Sequence, residues 1–515
     1  MTRARRSAGA TGAETRWVRQ RGRVFPLLIG GVAGTLLTGL VLPFAVGDSR
    51  DSSVATMGGA PPVRGDLPAN GATGAIDAGD RPAAGGATGA GGDVAGAAGV
   101  PGRSTADSTA KASADPRLTG LDGRSIKVGF LLLEVASIGA IGVNIPGVEP
   151  EQQQAAFQAY VDEYNEGGGF HGRLIETAFR KFDVSSPDNH IAQCNALAED
   201  EKVFAVLAND GLAPVAALCV TEAHKRFLVI PGGSGVPDTF VQRSQGRLFT
   251  MYMTGQRAMY NFADHLELLG KLKGRKLGIL VEERSDPDGT VEGHLRAALD
   301  RLGHVTAHVS RFAADQQVAA SQVPVEVRQM QAAGVDAILI LSNLANNVAF
   351  VQTADNQGYR PDYYSADWAT NFGDTQAQSM PPTSYEGAIN ITTTFAGNER
   401  VNIPPIPEEE RCREIYERRT GSRLDAQGSP QYDLTMNMCS MVRILATGLL
   451  GAGRQLTYEL LTGALHQASA IPVAFWKGGA YAPGKFDLND WVRTNEWHGS
   501  CRCWEPASDF RPTRY

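Results

Sequence analysis

From residue 122 to 366 the chain alternates continuous apolar runs with segments whose apolar side chains recur at helical spacing. The run "SIKVGFLLL" (125–133) lacks a polar face, as in a strand covered on both sides. Residues 150–166 then place Ala156, Tyr160 and Tyr164 on one helical face. "LIETAFRKF" (174–182) reads as a strand, and Ser186-Pro187 as an N-cap with proline at the first helical position. "VFAVLA" (203–208), a helix at 212–225 and "FLVI" (227–230) complete a βαβαβαβ series. That order predicts a parallel, doubly wound sheet.

The rhythm then restarts. Helices at 256–270, 289–302, 322–333 and 343–357 interleave with strands at 276–283, 305–312, 335–342 and 362–366. "EGAINITTTF" (386–395) crosses back, and helices at 408–420, 430–450 and 457–467 precede a short tail. The expectation is an α/β protein of two lobes joined by several chain crossings. The first lobe spans 122–250 plus 390–468, and the second 251–389 plus 469–515 with the tail.

Ahead of this folded part the composition changes three times. Residues 1–23 carry seven arginines against one acid, Glu14. Residues 24–47, "VFPLLIGGVAGTLLTGLVLPFAVG", contain no charge. As a helix this stretch extends about 36 Å, enough for a hydrocarbon core of about 30 Å. The one-sided arginines predict a cytoplasmic N-terminus and export of everything after Gly47. Ala45-Val46-Gly47 suits signal-peptide cleavage, whereas the length of the run suits an anchor, so both a membrane-anchored and a secreted product stay open. Gly30 and Gly34 form a GxxxG spacing in a segment already rich in glycine. Residues 48–116 are rich in Ala, Gly, Ser, Thr and Asp and have no aromatic, which predicts a disordered linker. A spacer behind a membrane segment favours the tethered form.

The net charge of −7 argues against a nucleic-acid binder, which needs a basic surface to release counterions. Six cysteines, all after residue 190, read as disulfides in an exported chain. Proximity pairs Cys194 with Cys219, Cys412 with Cys439 and Cys501 with Cys503. A metal at "HGSCRC" (498–503) lacks a fourth ligand, and no cofactor is implied.

Ligands of open α/β sheets sit beyond the carboxyl ends of the strands. Those ends here carry Asn209, Asp210 and Gly211, the turn Gly232-Gly233-Ser234, the stretch Glu282–Asp288, Ser342-Asn343, and Asp367-Trp368. The Gly-Ser turn is not a phosphate loop, because no lysine follows Gly235. Nor is it a hydrolase elbow, since its second glycine comes one residue early, and His265, His294 and His466 all fall in helices rather than at strand ends. What survives is binding without catalysis: glycines admit a ligand to backbone N–H groups, and a hydroxyl adds a donor and an acceptor. A plain turn is the alternative.

Five stretches, in order, resemble one family. "EYNEGGGFHGRLIETAFRKFD" (163–183) resembles the N-x-x-G-G-x-x-G-R element of type I periplasmic binding proteins of the branched-chain amino-acid branch, which continues to an aspartate, here Asp183. "IPGGS" (230–234) resembles that family's P-x-A-[ST] ligand turn, and "QYDLTMNMCSMVRILATGLLGAG" (431–453) its Y-D-A helix. "LTYELLTGAL" (456–465) and "PGKFDLND" (483–490) follow in the expected order, so the resemblance covers about 122–495. It implies a type I binding-protein fold, closure of two lobes on a small polar solute such as an amino acid, and delivery to an ABC permease. It also implies that Ser234 holds the solute's carboxylate or amino group, with help from the turn around Asp210. A sensing or partner-binding ectodomain of the same fold is the rival reading.

The sequence departs from that pattern in three places. "NDGLAP" (209–214) lacks the family's serine, Gly233 replaces an alanine, and "SDPDGT" (285–290) stands where Tyr-Gly is usual. The added acids Asp286 and Asp288 suit a cationic or polyol ligand, or only cap the following helix. Asp367 and Trp368, an acid beside an aromatic at a strand end, are the stronger candidates to line the cleft.

Overall fold

The computed structural model describes residues 118–136, 148–231, 235–368, 373–374 and 378–514. The basic N-region (1–23), the apolar segment (24–47), the linker (48–116) and the turn Gly232–Ser234 lie outside the described residues.

The first sheet is parallel throughout, in the order β2 (Leu174–Phe182), β1 (Ser125–Leu133), β3 (Ala205–Ala208), β4 (Phe227–Ile230) and β5 (Leu248–Thr250). β1 lies inside the sheet, between β2 and β3, because it is apolar on both faces: Val128 pairs with Thr177 on one side and Ala205 on the other. Helix α1 (Pro150–Glu166) buries Gln153, Ala156, Phe157, Tyr160 and Val161, with Tyr164 partly buried. α2 (Pro187–Asn195) begins at Ser186, whose hydroxyl accepts from the Asn189 N–H at 3.2 Å. The short helices α3 (Pro214–Leu218) and α4 (Asp238–Arg243) follow β3 and β4.

After α5 (Gly255–Leu268), a second sheet is built from β6 (Leu277–Glu282), β7 (Thr306–Phe312), β8 (Ala337–Leu341), β9 (Asp362–Ala366) and β10 (Ile389–Thr392), all parallel. Helices α6 (Thr290–Arg301), α7 (Gln316–Ala332) and α8 (Leu344–Asn356) connect these strands. α7 starts six residues before the expected 322, because Asp315 accepts from the N–H groups of Gln317 and Val318 at 2.9 Å and Pro324 is tolerated inside the helix.

Two parts of this lobe differ from expectation. The boundary drawn between residues 389 and 390 falls inside β10, which pairs with β9 and with β11 (Trp491–His498) and so belongs to the second sheet. The tail carries strands that the sequence reading did not place: β11 adds antiparallel to β10, and β12 (Cys503–Pro506) and β13 (Arg511–Pro512) pair with β11.

The helices α9 (Pro407–Thr420), α10 (Pro430–Ala452) and α11 (Tyr458–Gln467) return to the first lobe, where Tyr160 Oη donates to the Cys412 carbonyl at 3.2 Å. α10 is long and apolar enough to span a membrane, but most of its residues are buried, as in a core helix. Disulfides join Cys194 to Cys219, Cys412 to Cys439 and Cys501 to Cys503.

Three chain passages link the lobes and are laced together. The Thr250 N–H donates to the Phe486 carbonyl and the Leu488 N–H to the Thr250 carbonyl, both at 3.0 Å. The Phe395 N–H donates to the Phe475 carbonyl at 2.8 Å. Arg257 locks the first passage to the third by contacting Asp487, the Asn489 carbonyl and Asp490. A cavity of about 980 Å³ lies at this hinge, lined by Arg257, Lys485, Phe486, Asp487 and Trp491.

Candidate ligand cleft

In the first lobe Gln153 sets the cleft floor. Its amide accepts from the Leu133 N–H and from Asn209 Nδ2, and donates to the carbonyls of Leu133 and Val148, at 2.6–2.8 Å. That fixes Asn209 at the end of β3, with its Oδ1 buried and without a partner among the described residues. Asp210 is held from behind: Asn437 Nδ2 of α10 donates to its Oδ2 at 3.1 Å, and Trp476 Nε1 donates to Asn437 Oδ1 at 2.6 Å. Gly211 sits at φ +89°, a left-handed conformation that glycine alone adopts without strain.

His190 ties this turn to the end of β2. Its Nδ1 accepts from the Ala213 N–H at 3.0 Å, so its Nε2 must carry the proton donated to the Asp183 carbonyl at 2.7 Å. The ring is therefore neutral. Burial, reinforced by the Arg284 guanidinium, pushes its pKa down to about 4. Asp183 itself shapes a turn, accepting from the Ser185 N–H and hydroxyl at 2.8 and 2.6 Å.

In the second lobe the acids divide by role. Asp286 places both carboxylate oxygens on the N-terminus of α6, accepting from the Val291 and Glu292 N–H groups at 3.0 and 2.9 Å. It is the helix cap that sequence offered as one alternative. Burial raises its pKa against those two bonds. Asp288 accepts from the Thr290 N–H and hydroxyl, and across the cleft from Thr239 Oγ1 at 2.7 Å. Those bonds outweigh its burial and hold its pKa below the usual value. Glu282, at the end of β6, is buried, which raises its pKa, and accepts from Asn346 Nδ2 at 3.1 Å.

Asp367 is fully buried at the end of β9. Its Oδ2 accepts from the Thr393 N–H, the Thr393 hydroxyl and the Thr392 hydroxyl at 2.7, 2.8 and 3.1 Å. Its Oδ1 has no hydrogen-bond partner among the described residues. Burial pushes its pKa up to about 7 despite the three donors. Beside it the Trp368 indole packs over Gly235, where a Cβ would approach within 2.8 Å of the ring. Gly235, which follows the turn after β4, and the end of β9 thus meet.

The lobes also touch elsewhere along this line. Arg284 Nη1 donates to the Val184 carbonyl, and His294 Nε2 lies 3.4 Å from Asp238 Oδ2. With Thr239–Asp288 and Gly235–Trp368, four contacts run from the strand ends of one sheet to those of the other. The conformation is closed.

Sequence reasoning missed a second acidic group. Arg400 bridges Asp374 and Glu399, while Asp433 of α10 lies next to Gly373. Burial raises Asp374 to about 6 and Asp433 upward, the latter further raised by its acidic neighbours. The "QYD" at the start of α10 was the available signal, but nothing local announces that Asp374 lies near it.

The family model described as a periplasmic binding protein matches residues 150–491. Among solved structures, a fatty acid ABC transporter substrate-binding protein from Thermomonospora curvata is 17% identical, with a TM-score of 0.56, over 77% of this chain and 94% of that one. A leucine-binding protein from Thermotoga maritima is 12% identical, with a TM-score of 0.57, over 75% and 99%. A solute-binding protein of R. palustris in complex with 4-hydroxybenzoate is 12% identical, with a TM-score of 0.57, over 76% and 98%. No curated protein matches by sequence. At these identities the structural likeness concerns the fold.

Proposed function

The chain belongs to the periplasmic binding protein family, and from that premise we propose that it captures a small polar solute between its lobes for an ABC-type importer. On this reading Asp210, Gly211, Gly232, Gly233 and Ser234 form the first-lobe side of the site, and Asp367 and Trp368 the second. The observation that carries it is the pairing of Asp367 Oδ1, buried and without a partner among the described residues, with an indole that packs over Gly235 of the opposite lobe. A buried carboxylate oxygen without a donor is costly. A solute offering an ammonium or hydroxyl there would satisfy it while stacking on Trp368.

Asp286 caps a helix and Asp288 bonds across the cleft, so on this reading both brace the second-lobe side of the site beside Asp367. The structural neighbours are named for a fatty acid and for leucine, or hold 4-hydroxybenzoate, so this fold accommodates differing chemistries. Amino acids and related amines fit the buried acid best. The mechanism is hinge closure: solute bridging both sides shifts the population toward the closed form seen here. The apolar segment 24–47 would hold the protein at the outer face of the membrane.

A thermal-shift screen against amino acids, amides, polyamines, sugars and polyols tests the reading. A solute at 1,000 times its Kd stabilises by about 4 kcal/mol. A shift with an amine, lost in Asp367→Asn, is expected. Folded protein that responds to no compound, and shows no binding by calorimetry, refutes it.

A further inference from the structure

The three disulfides differ in setting. Cys194, Cys219, Cys412 and Cys439 are all buried, and their bridges close loops of sequence separation 25 and 27. Cys501–Cys503 has a separation of 2 and lies in the β11–β12 hairpin turn, with Cys501 exposed and Cys503 only 3% exposed. A bridge across so short a loop removes little entropy from the unfolded chain. It therefore contributes little to stability, and exposed bridges are the chemically labile ones.

The surroundings suit exchange. Across the hairpin, Cys503 is the direct partner of His498. The His498 ring lies between two carboxylates, 3.6 Å from Glu386 and 3.7 Å from Glu505. Arg502, between the cysteines, is exposed and held at φ +54°, an unfavourable conformation for a side chain with a Cβ. Its charge favours the approach of an anionic sulfur.

We propose that Cys501–Cys503 is a thiol–disulfide exchange site for a small thiol, attacked at the Cys501 sulfur. The incoming thiolate bonds to Cys501 Sγ and the S–S bond breaks. Its electron pair passes to Cys503 Sγ, which takes a proton from water. A second thiol then attacks the mixed disulfide. The products are the Cys501/Cys503 dithiol and the oxidised small disulfide, a transfer of two electrons. His498 acts as a positioning residue for the departing sulfur. The hairpin also reaches the buried acidic group around Arg400, because the N–H of the next residue, Trp504, donates to Asp374 Oδ1 at 3.4 Å.

The test incubates the full-length protein with graded glutathione and glutathione disulfide, quenches by alkylation, and reads each cysteine by peptide mass spectrometry. Cys501–Cys503 should be reduced at glutathione concentrations at least tenfold below those needed by the other two bridges. The transient glutathione adduct should lie on Cys501. His498→Gln should slow exchange several-fold near neutral pH and alter its pH profile, with the melting temperature unchanged. Reduction of all three bridges over one concentration range, or of Cys501–Cys503 last, overturns the proposal, as does an adduct confined to Cys503. An unaltered rate and pH profile in His498→Gln overturns the role given to that residue.

Discussion

Replacing Asp367 with asparagine probes the cleft through pH. The carboxyl is fully buried and its pKa is raised to about 7, against an ordinary 3.8. The folded state therefore holds this proton after the unfolded chain has lost it. Its contribution to stability is fully present below the unfolded value and is lost as pH rises through the folded value. Between about pH 5 and about pH 8 the linkage integral for that shift is a loss of about 2.5 kcal/mol. For a folded region of roughly 400 residues this corresponds to about 3 °C in Tm. Asp374, Glu409 and Asp433 are also raised by burial, but they are present in both proteins and cancel in the difference. Solute-free wild type and Asp367→Asn, melted calorimetrically across this range, should diverge by that amount, the wild type losing more as pH rises. An amine solute that pairs with the carboxylate should also bind more tightly as pH rises toward 7, a trend absent in the variant. Parallel stability curves for the two proteins would refute the assignment of Asp367 as a buried, partner-deficient acid.

Other changes separate the remaining roles. Gly235→Ala forces a Cβ to within 2.8 Å of the Trp368 ring at φ +62°; it should cost about 1–2 kcal/mol from backbone strain alone and weaken closure, read by melting and by solute affinity. Asp286→Ala strips two acceptors from the start of α6 and should cost about 1–2 kcal/mol while leaving solute affinity unchanged, measured by calorimetry. Arg284→Ala removes the cross-lobe bond to the Val184 carbonyl; small-angle scattering should then show a larger radius of gyration without solute, and the wild-type radius when solute is saturating.

How far the sequence was legible depended on how local each signal was. β1, β3 and β4 were readable because both their faces are buried, which imposes unbroken apolar runs. Ser186 was readable because a cap and its helix are neighbours in the chain. β11 and β12 were missed because "WVRTNEWHGSCRCWEP" is polar and mixed; Arg493 and Asn495 are buried there only because they bond to Asn398 and to the Ala396 carbonyl about a hundred residues away. The candidate site was half legible. Strand ends announced Asp210 and Asp367, but not that Asn437 and Trp476 hold the first, or that two threonines take one oxygen of the second.

By itself the sequence determined the period of each element, the βα alternation that obliges parallel sheets, and the nearness in chain that makes each cysteine pair easy to close. Those properties follow from steric rules acting over a few residues, or from the entropy of short loops. Which acids are fully engaged and which keep an oxygen open was decided by tertiary structure alone. Asp286, Asp288 and Asp367 are the same residue type at equivalent strand ends, yet one caps a helix, one bridges the lobes and one is left with an open oxygen. Burial and partners set that difference, and both come from segments far apart in the chain.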